Sequence, residues 1–403
     1  MTQSLWKNRN FRLLFGATSA TNLGDGLIAV AVPWLATLLT HDPFLIGLVA
    51  TGRHLPWLLF ALPAGVLTDR FDHRRILLIA DALRLMLSAT LLALALTASP
   101  GTGPVLLLAG LSFILGSAEV VRDNTAQTFL PAVVEKPQLE QANGSLWATE
   151  QLAGQLIGPP LAGMLIGLAL AVPFGLQIGL LLAGLGLIYG MRLQKRARAT
   201  PHLAPMAALR EGMVWLWRDV PLRRLALVLG GFNFLGYGLA AIFVLYGQRV
   251  LGLDAFGFGL LLSAAACGGL AATLIGPMIL KHIAPTTAIL IGMAGFSTMA
   301  LTLAIAPPLW LVVVILVIDG FTGMLWNIAQ VSYRQRHIPA PLLGRVNSAF
   351  RFLGTGPAAL GALFFGALIA AGQGPEAVLQ PYWVAAALGL GLTGYSLAKL
   401  RLP

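Results

Sequence analysis

Four acidic side chains interrupt stretches that are otherwise apolar enough to cross a bilayer: Asp25 in "TNLGDGLIAV", Glu119 in "SAEVVRDNTAQ", Glu150 in "ATEQLAG" and Asp319 in "LVIDGFT". A charge near the bilayer centre costs about 2.5–3.5 kcal/mol on insertion scales, so each of them needs a partner or a task. The chemistry open to a carboxylate in such a place is proton uptake and release. Low dielectric favours its neutral form and a nearby cation its ionised form, so a cation that moves turns the carboxylate into a proton carrier. Cations are at hand. Arg53, next to His54, lies part-way down the second apolar stretch, Arg84 follows Asp81 by three residues, and Arg122 sits between Glu119 and Asp123.

Asp25 is midway along the first stretch, and helical rise puts Arg53 at a similar depth, roughly 14 Å in. Two readings follow: a salt bridge that pins two helices, or a proton-coupling carboxylate facing a water-filled cavity with Arg53 as its switch. Glu119, Arg122 and Asp123 share a helical face at i, i+3 and i+4, a compact network of two carboxylates and an arginine. Glu119 is a second proton-coupling candidate, with Glu150 and Asp319 behind it. Asp81 and Arg84 read as a local pair near the inner surface.

The elements that must position these groups follow from composition. Of 403 residues 57% are hydrophobic and 10% charged, with mean hydropathy +0.82, far outside the range of a soluble globular domain. About 20 apolar residues make a helical crossing. Twelve such stretches fall near 14–38, 44–66, 76–98, 105–127, 143–168, 172–191, 222–247, 256–279, 285–305, 309–331, 345–371 and 380–398. The uninterrupted runs exclude a transmembrane β-barrel, whose strands alternate, and predict an all-α integral membrane protein. The basic start "MTQSLWKNRNFRLLF" lacks a small-residue cleavage site and is read as the beginning of a retained first helix.

The net charge of +11 is a topology signal rather than a nucleic-acid surface. Nearly all of the 26 lysines and arginines fall in alternate loops on one side. Arg249 lies on the other, and Arg53, Arg84, Arg122 and Arg351 lie within spans. The positive-inside rule then puts both termini in the cytoplasm. The single Cys267 allows neither an intrachain disulfide nor a cysteine metal cluster.

A basic interruption separates the spans six and six, giving an N-terminal bundle 1–191, a linker 192–221 and a C-terminal bundle 222–403. The linker contains "MAALREGMVWLWRD", whose apolar spacing suits either a plain connection or an amphipathic helix on the inner membrane face. The halves echo each other. "NLGDGL" at Asn22 returns as "NFLGYGL" at Asn233, 211 residues later, and Gly65 is matched by Gly276 at the same interval. "QTFLP" at Gln127 is matched by "QRHIP" at Gln335, and Asn143 by Asn347. Asn22 and Gly24 thus recur, whereas Asp25 falls opposite Tyr237. A charge kept in one copy only suits coupling better than helix packing.

The loop "GVLTDRFDHRRIL", with Gly65, Leu67, Asp69, Arg70, Arg74 and Arg75, resembles the signature Gly-x-Leu-x-Asp-Arg-x-Gly-Arg-Lys/Arg of the major facilitator superfamily. Asp72 stands where that pattern has its second glycine and His73 where an arginine follows. The opening "LWKNRNFRLLF" and the late "QRHIPAPLLGRVNSAFR" resemble the enterobactin-exporter and drug-efflux branch of bacterial exporters. The resemblance implies two parallel six-helix repeats. It implies a latch in which Asp69, Arg70, Arg74 and Arg75 engage the fourth-helix acid Asp123 to shut the cytoplasmic side in the outward-open state, and a cavity lined by helices 1, 4, 7 and 10. Those helices offer Asn22, Asn233, Phe234, Tyr237, Tyr246, Trp326, Asn327 and Gln330, a set of aromatic faces and amides suited to an amphipathic solute. "GPP" at Gly158 is expected to break the fifth helix, as a Gly-Pro motif does in antiporters of the superfamily.

No phosphate-binding loop, His-Glu-x-x-His or Gly-x-Ser-x-Gly motif occurs, so neither ATP-driven transport nor hydrolysis is expected, and no cofactor or catalytic residue. The expectation is a monomeric secondary transporter of the bacterial inner membrane that exports an amphipathic small molecule in exchange for protons by alternating access. Uptake, lipid translocation and a non-transporting receptor or scaffold stay open as alternatives.

Overall fold

The computed structural model describes residues 5–191, 205–339 and 342–400, without the side chains at 61, 62, 65, 66, 69, 70, 136, 205–208 and 375. Among the described residues, twelve helices are long and apolar enough to cross a membrane. They are Arg9–Leu39, Pro43–Arg70, His73–Thr97, Thr102–Val133, Leu139–Leu168, Val172–Tyr189, Val220–Arg249, Ala255–Ile279, Pro285–Ala304, Leu309–His337, Leu343–Ala371 and Glu376–Lys399, called spans 1 to 12 below.

Most helices extend beyond the apolar stretch that marks them, because polar residues close their ends. Asn8 caps span 1 by accepting from the Phe11 N–H at 3.1 Å, Asp72 caps span 3 through the Arg75 N–H at 2.9 Å, and Asp219 caps span 7 through the Leu222 N–H at 2.9 Å. Asp72 thus has a structural reason to replace the glycine of the signature pattern.

Span 5 is irregular, but not where the prolines sit. An α-helical turn up to Thr149 passes into a π-helix over Glu150–Ile157, closed by a bond from the Gly158 N–H to the Ala153 carbonyl, and α-helix resumes through Pro159 and Pro160. Proline has no N–H to give and its ring crowds the carbonyl four residues earlier, so the turn before it widens. Span 11 behaves alike, interrupted at Gly356 immediately before Pro357. A helix also occupies Pro205–Arg218, before span 7.

The chain forms two compact units. One comprises Met1–Thr40, Gly52–His202 and Ala255–Leu260; the other comprises His41–Thr51, Leu203–Asp254 and Leu261–Pro403. In the first, close crossings rest on glycine. A Cβ at Gly26 would lie 2.9 Å from Gly158 Cα, and one at Gly116 would lie 2.6 Å from the Arg53 carbonyl oxygen. Such contacts let backbones approach where no hydrophobic effect drives helices together. In the second unit Gly361 is packed against the Phe234 backbone, and Phe234, Phe364 and Phe365 group their rings there.

Candidate functional site

Seven charged side chains meet inside the first unit. Asp81 and Arg84, one turn apart on span 3, face inward. Asp81 Oδ1 accepts from Arg84 Nη1 at 3.5 Å and from Arg122 Nε of span 4 at 3.2 Å. Arg84 Nη2 also donates to Asp25 Oδ1 of span 1. Arg122 Nη1 reaches Asp123 Oδ1 at 3.3 Å, and Arg53 of span 2 pairs with Glu119 of span 4 at 3.4 Å. Asp81, Arg84 and Arg122 are buried, whereas the side chains of Asp25 and Asp123 remain 21% and 33% exposed. The network therefore has a dry centre and two ends that face outward.

Its charge does not balance. Among the described residues three arginines, Arg53, Arg84 and Arg122, form ion pairs with four carboxylates, Asp25, Asp81, Glu119 and Asp123. An unbalanced charge in low dielectric is expensive, and one bound proton would neutralise these ion-paired groups. Among the described residues Asp81 Oδ2 and Arg84 Nε are buried without a hydrogen-bond partner, which leaves the network free to exchange partners.

Several expected pairings are replaced. Asp25 does not pair with Arg53; it holds Arg84, while Arg53 goes to Glu119. The cause is the crossing at Gly116, which brings the Arg53 backbone against span 4 one turn before Glu119. Asp81 and Arg84 do pair locally, but as the buried centre of the network rather than at a surface. Glu119 and Arg122 share a face yet take different partners, because Arg122 turns toward Asp81.

Of the signature-loop residues, Arg74 donates from Nε to the Ile188 carbonyl at 3.2 Å, reaches the Tyr189 carbonyl, and lies 5.4 Å from the Tyr189 ring centre. It closes the C-terminus of span 6, where free carbonyls and the helix dipole attract a cation. Arg75 is exposed, and Gly65 lies within the helix of span 2. The side chains of Asp69 and Arg70 lie outside the described residues.

Glu150 is exposed at the start of the π-helix, near enough to Asp25 and Glu119 for their charges to interact. Asp319 is half-buried on span 10 and makes no ion pair among the described residues.

Most expected cavity residues bind helices together. Asn22 Nδ2 donates to Thr149 Oγ1 of span 5 at 2.9 Å, and Asn233 Nδ2 to the Gly354 carbonyl of span 11 at 2.7 Å. Tyr246 is buried, its hydroxyl donating to the Leu303 carbonyl at 3.0 Å and its ring set against Phe243 and Tyr382. Trp326 is buried edge-on to Phe232 and Phe234 packs on span 11. Large rings fill gaps between helices that small residues do not close. Gln330 is buried and donates to Asn327 Oδ1 at 3.0 Å, leaving Asn327 and Tyr237 exposed. Cys267 is an exposed free thiol, and no metal-binding cluster occurs among the described residues.

Twelve apolar helices with a charged network buried among the first four define a membrane transporter, not an enzyme. The chain belongs to the transmembrane secretion effector family of the major facilitator superfamily, whose profile matches residues 2–403. It is similar to the enterobactin exporter EntS of Salmonella paratyphi A, 28% identical over 393 residues, 95% of this chain and 89% of the relative. It is also similar to EntS of Escherichia coli O1:K1, 26% identical over 387 residues with the same coverage. Among solved structures the fold matches a bacterial homologue of the human lysosomal transporter Spinster in an inward-facing, occupied conformation, with TM-score 0.77, 14% identity and coverage of 100% of this chain and 98% of that one. It matches a bacterial homologue of the iron transporter ferroportin with TM-score 0.75, 15% identity and coverage of 99% and 100%. These likenesses show the superfamily fold.

Proposed function

We propose that this chain is a proton-coupled exporter of the bacterial inner membrane, releasing an amphipathic small molecule in exchange for protons by alternating access. It works as a monomer of two six-helix halves, 1–191 and 222–403, joined by 192–221, with both termini cytoplasmic. The observation that carries the reading is the charge imbalance of the buried network, whose most accessible spans-1-to-3 contact is Asp25 on Arg84. A proton on Asp25 frees Arg84 for Asp81 alone, and its loss restores the bridge, so the link between spans 1 and 3 is made and broken by proton traffic. Glu119 and Glu150, whose charges act on Asp25, are the candidates to pass the proton on, and Asp123 with Arg122 is the candidate gate at the other end. Asp319 is a separate proton-coupling candidate in the second half. The relatives' names make enterobactin the first cargo to test.

The test is transport in proteoliposomes under an imposed pH gradient, with enterobactin and a panel of lipophilic cations, comparing wild type with Asp25→Asn. Wild type should move at least one compound faster with the gradient, and Asp25→Asn should lose that dependence while still binding it. Movement that ignores both the gradient and the substitution defeats the coupling.

A further inference from the structure

The helix Pro205–Arg218 does not float beside the spans. One side is docked on the start of span 11: Leu216 is buried, a Cβ at Gly212 would lie 2.5 Å from the Arg345 carbonyl carbon, and Glu211 Oε2 pairs with Arg345 Nη1 at 2.7 Å. At 3.6 residues per turn, Arg210, Val214, Trp217 and Arg218 fall on the side opposite Gly212 and Leu216. All four are exposed, Val214 by 46% and Trp217 by 50%. Beside them Val220 is exposed, and Arg223 donates from Nη1 to the Trp217 carbonyl at 2.8 Å with its guanidinium 5.6 Å from the Trp217 ring centre. Asp219, the cap of span 7, is turned away to His337 at 2.6 Å. The outward face therefore shows two large apolar side chains among three arginines, and its nearby acids are engaged elsewhere.

Chain continuity fixes what lies against this face. Span 7 starts at Val220, two residues after the helix ends, so Trp217 and the arginines are held at the level where that span enters the bilayer. An indole with its ring partly in hydrocarbon, flanked by guanidinium groups, matches the boundary between acyl chains and phosphates. We infer that the outward face of Pro205–Arg218 is a binding surface for anionic phospholipid, with Val214 and Trp217 in the acyl boundary and Arg210, Arg218 and Arg223 on the phosphates. Bound lipid there is tied through Glu211 and Gly212 to span 11, so the lipid surface is mechanically joined to the second unit.

The inference is tested by fluorescence of the full chain in vesicles containing brominated phosphatidylglycerol or brominated phosphatidylcholine, without any transported substrate, so that it stands or falls apart from the export reading. The signal of Trp217 is the difference between wild type and Trp217→Phe; Trp215→Phe, at the half-buried residue whose ring faces His337, is the control for a general loss of structure. Bromine should quench the Trp217 signal, and at lower mole fraction for phosphatidylglycerol. In Arg210→Gln and Arg218→Gln the mole fraction needed for half-quenching should rise about fivefold for each arginine lost. A Trp217 signal quenched by aqueous iodide but not by brominated lipid overturns the surface. Equal quenching by both lipids in wild type overturns its preference for anionic headgroups.

Discussion

Asn8 and Asp219, 211 residues apart, each cap the first helix of their half and each reach the C-terminal end of the fourth. Asn8 donates its amide to the Val133 carbonyl at 2.7 Å, and Asp219 meets His337 at 2.6 Å. Further along, Asn22 and Asn233 tie the same two helices to the fifth of their half, near its irregular section. Up to this depth the halves use one frame. They diverge where the third helix crosses the fourth. In the first half that crossing is ionic, with Asp81 between Arg84 and Arg122. In the second it is steric: Gly292 and Gly295 admit Trp326 and Thr322, and a Cβ at Gly292 would lie 2.6 Å from Trp326 Cβ.

The second half shows that this helix crossing can be built from glycine and large side chains without buried charge. Replacing a buried ion pair by good packing is often neutral or stabilising. The network of the first half is therefore not what six helices need in order to fold, which is the physical ground for the proposal that it serves transport.

The comparison breaks most visibly at Asp81. Asp81→Ala leaves Arg84 and Arg122 buried without their shared acceptor and should cost about 3–5 kcal/mol, seen as a lower unfolding temperature in detergent. Asp81→Asn keeps an acceptor oxygen and should lose less. If Asp81→Ala melts with wild type, the ionic crossing holds nothing and the contrast between halves fails. Next come the glycine contacts common to both. Gly26→Ala, against span 5, and Gly361→Ala, whose Cβ would lie 2.8 Å from the Phe234 carbonyl carbon, should each cost about 1–3 kcal/mol. Gly167→Ala and Gly394→Ala, with open space around them, are the controls expected to keep the wild-type melting temperature. The smallest effect is the sharpest test of the frame: Asn22→Ala and Asn233→Ala should lose about 0.6–1.7 kcal/mol each, in equal measure. A loss confined to one of them would make the repeated asparagine a coincidence of sequence.

Much of the fold could be read directly from residues. Runs of apolar side chains announce all twelve spans, because each crossing must satisfy its own backbone within one helix. The ends were less legible: span 1 begins at Arg9 and span 2 runs to Arg70, since capping and polar helical turns carry no hydropathy signal. The irregularity of span 5 was signalled by Gly158–Pro160, but its form, a π-helix ahead of the prolines, depends on which carbonyls find donors. At the candidate site, residue types were legible and partners were not. Asp25, Glu119, Arg53, Arg84 and Arg122 stand out as charges in apolar surroundings, yet Asp81 reads as half of a local pair because i, i+3 spacing is visible and a neighbouring helix is not. Among the aromatic and amide residues, hydropathy cannot separate a cavity wall from a gap filler; Tyr246 and Trp326 proved to be buried packing.

What the sequence by itself determined is the set of helices, their division by a basic connection and the presence of charges that a bilayer does not tolerate idle. Those are local properties, set by side-chain transfer energies and by periodicity along one chain. Only the tertiary structure decided that Arg84 serves Asp25, that Arg53 serves Glu119, that Arg74 closes span 6, and that Pro205–Arg218 turns Trp217 outward. Charge pairing in low dielectric goes to whichever opposite charge the helix crossings bring within about 4 Å, and those crossings are set by glycines whose contacts lie far away in sequence.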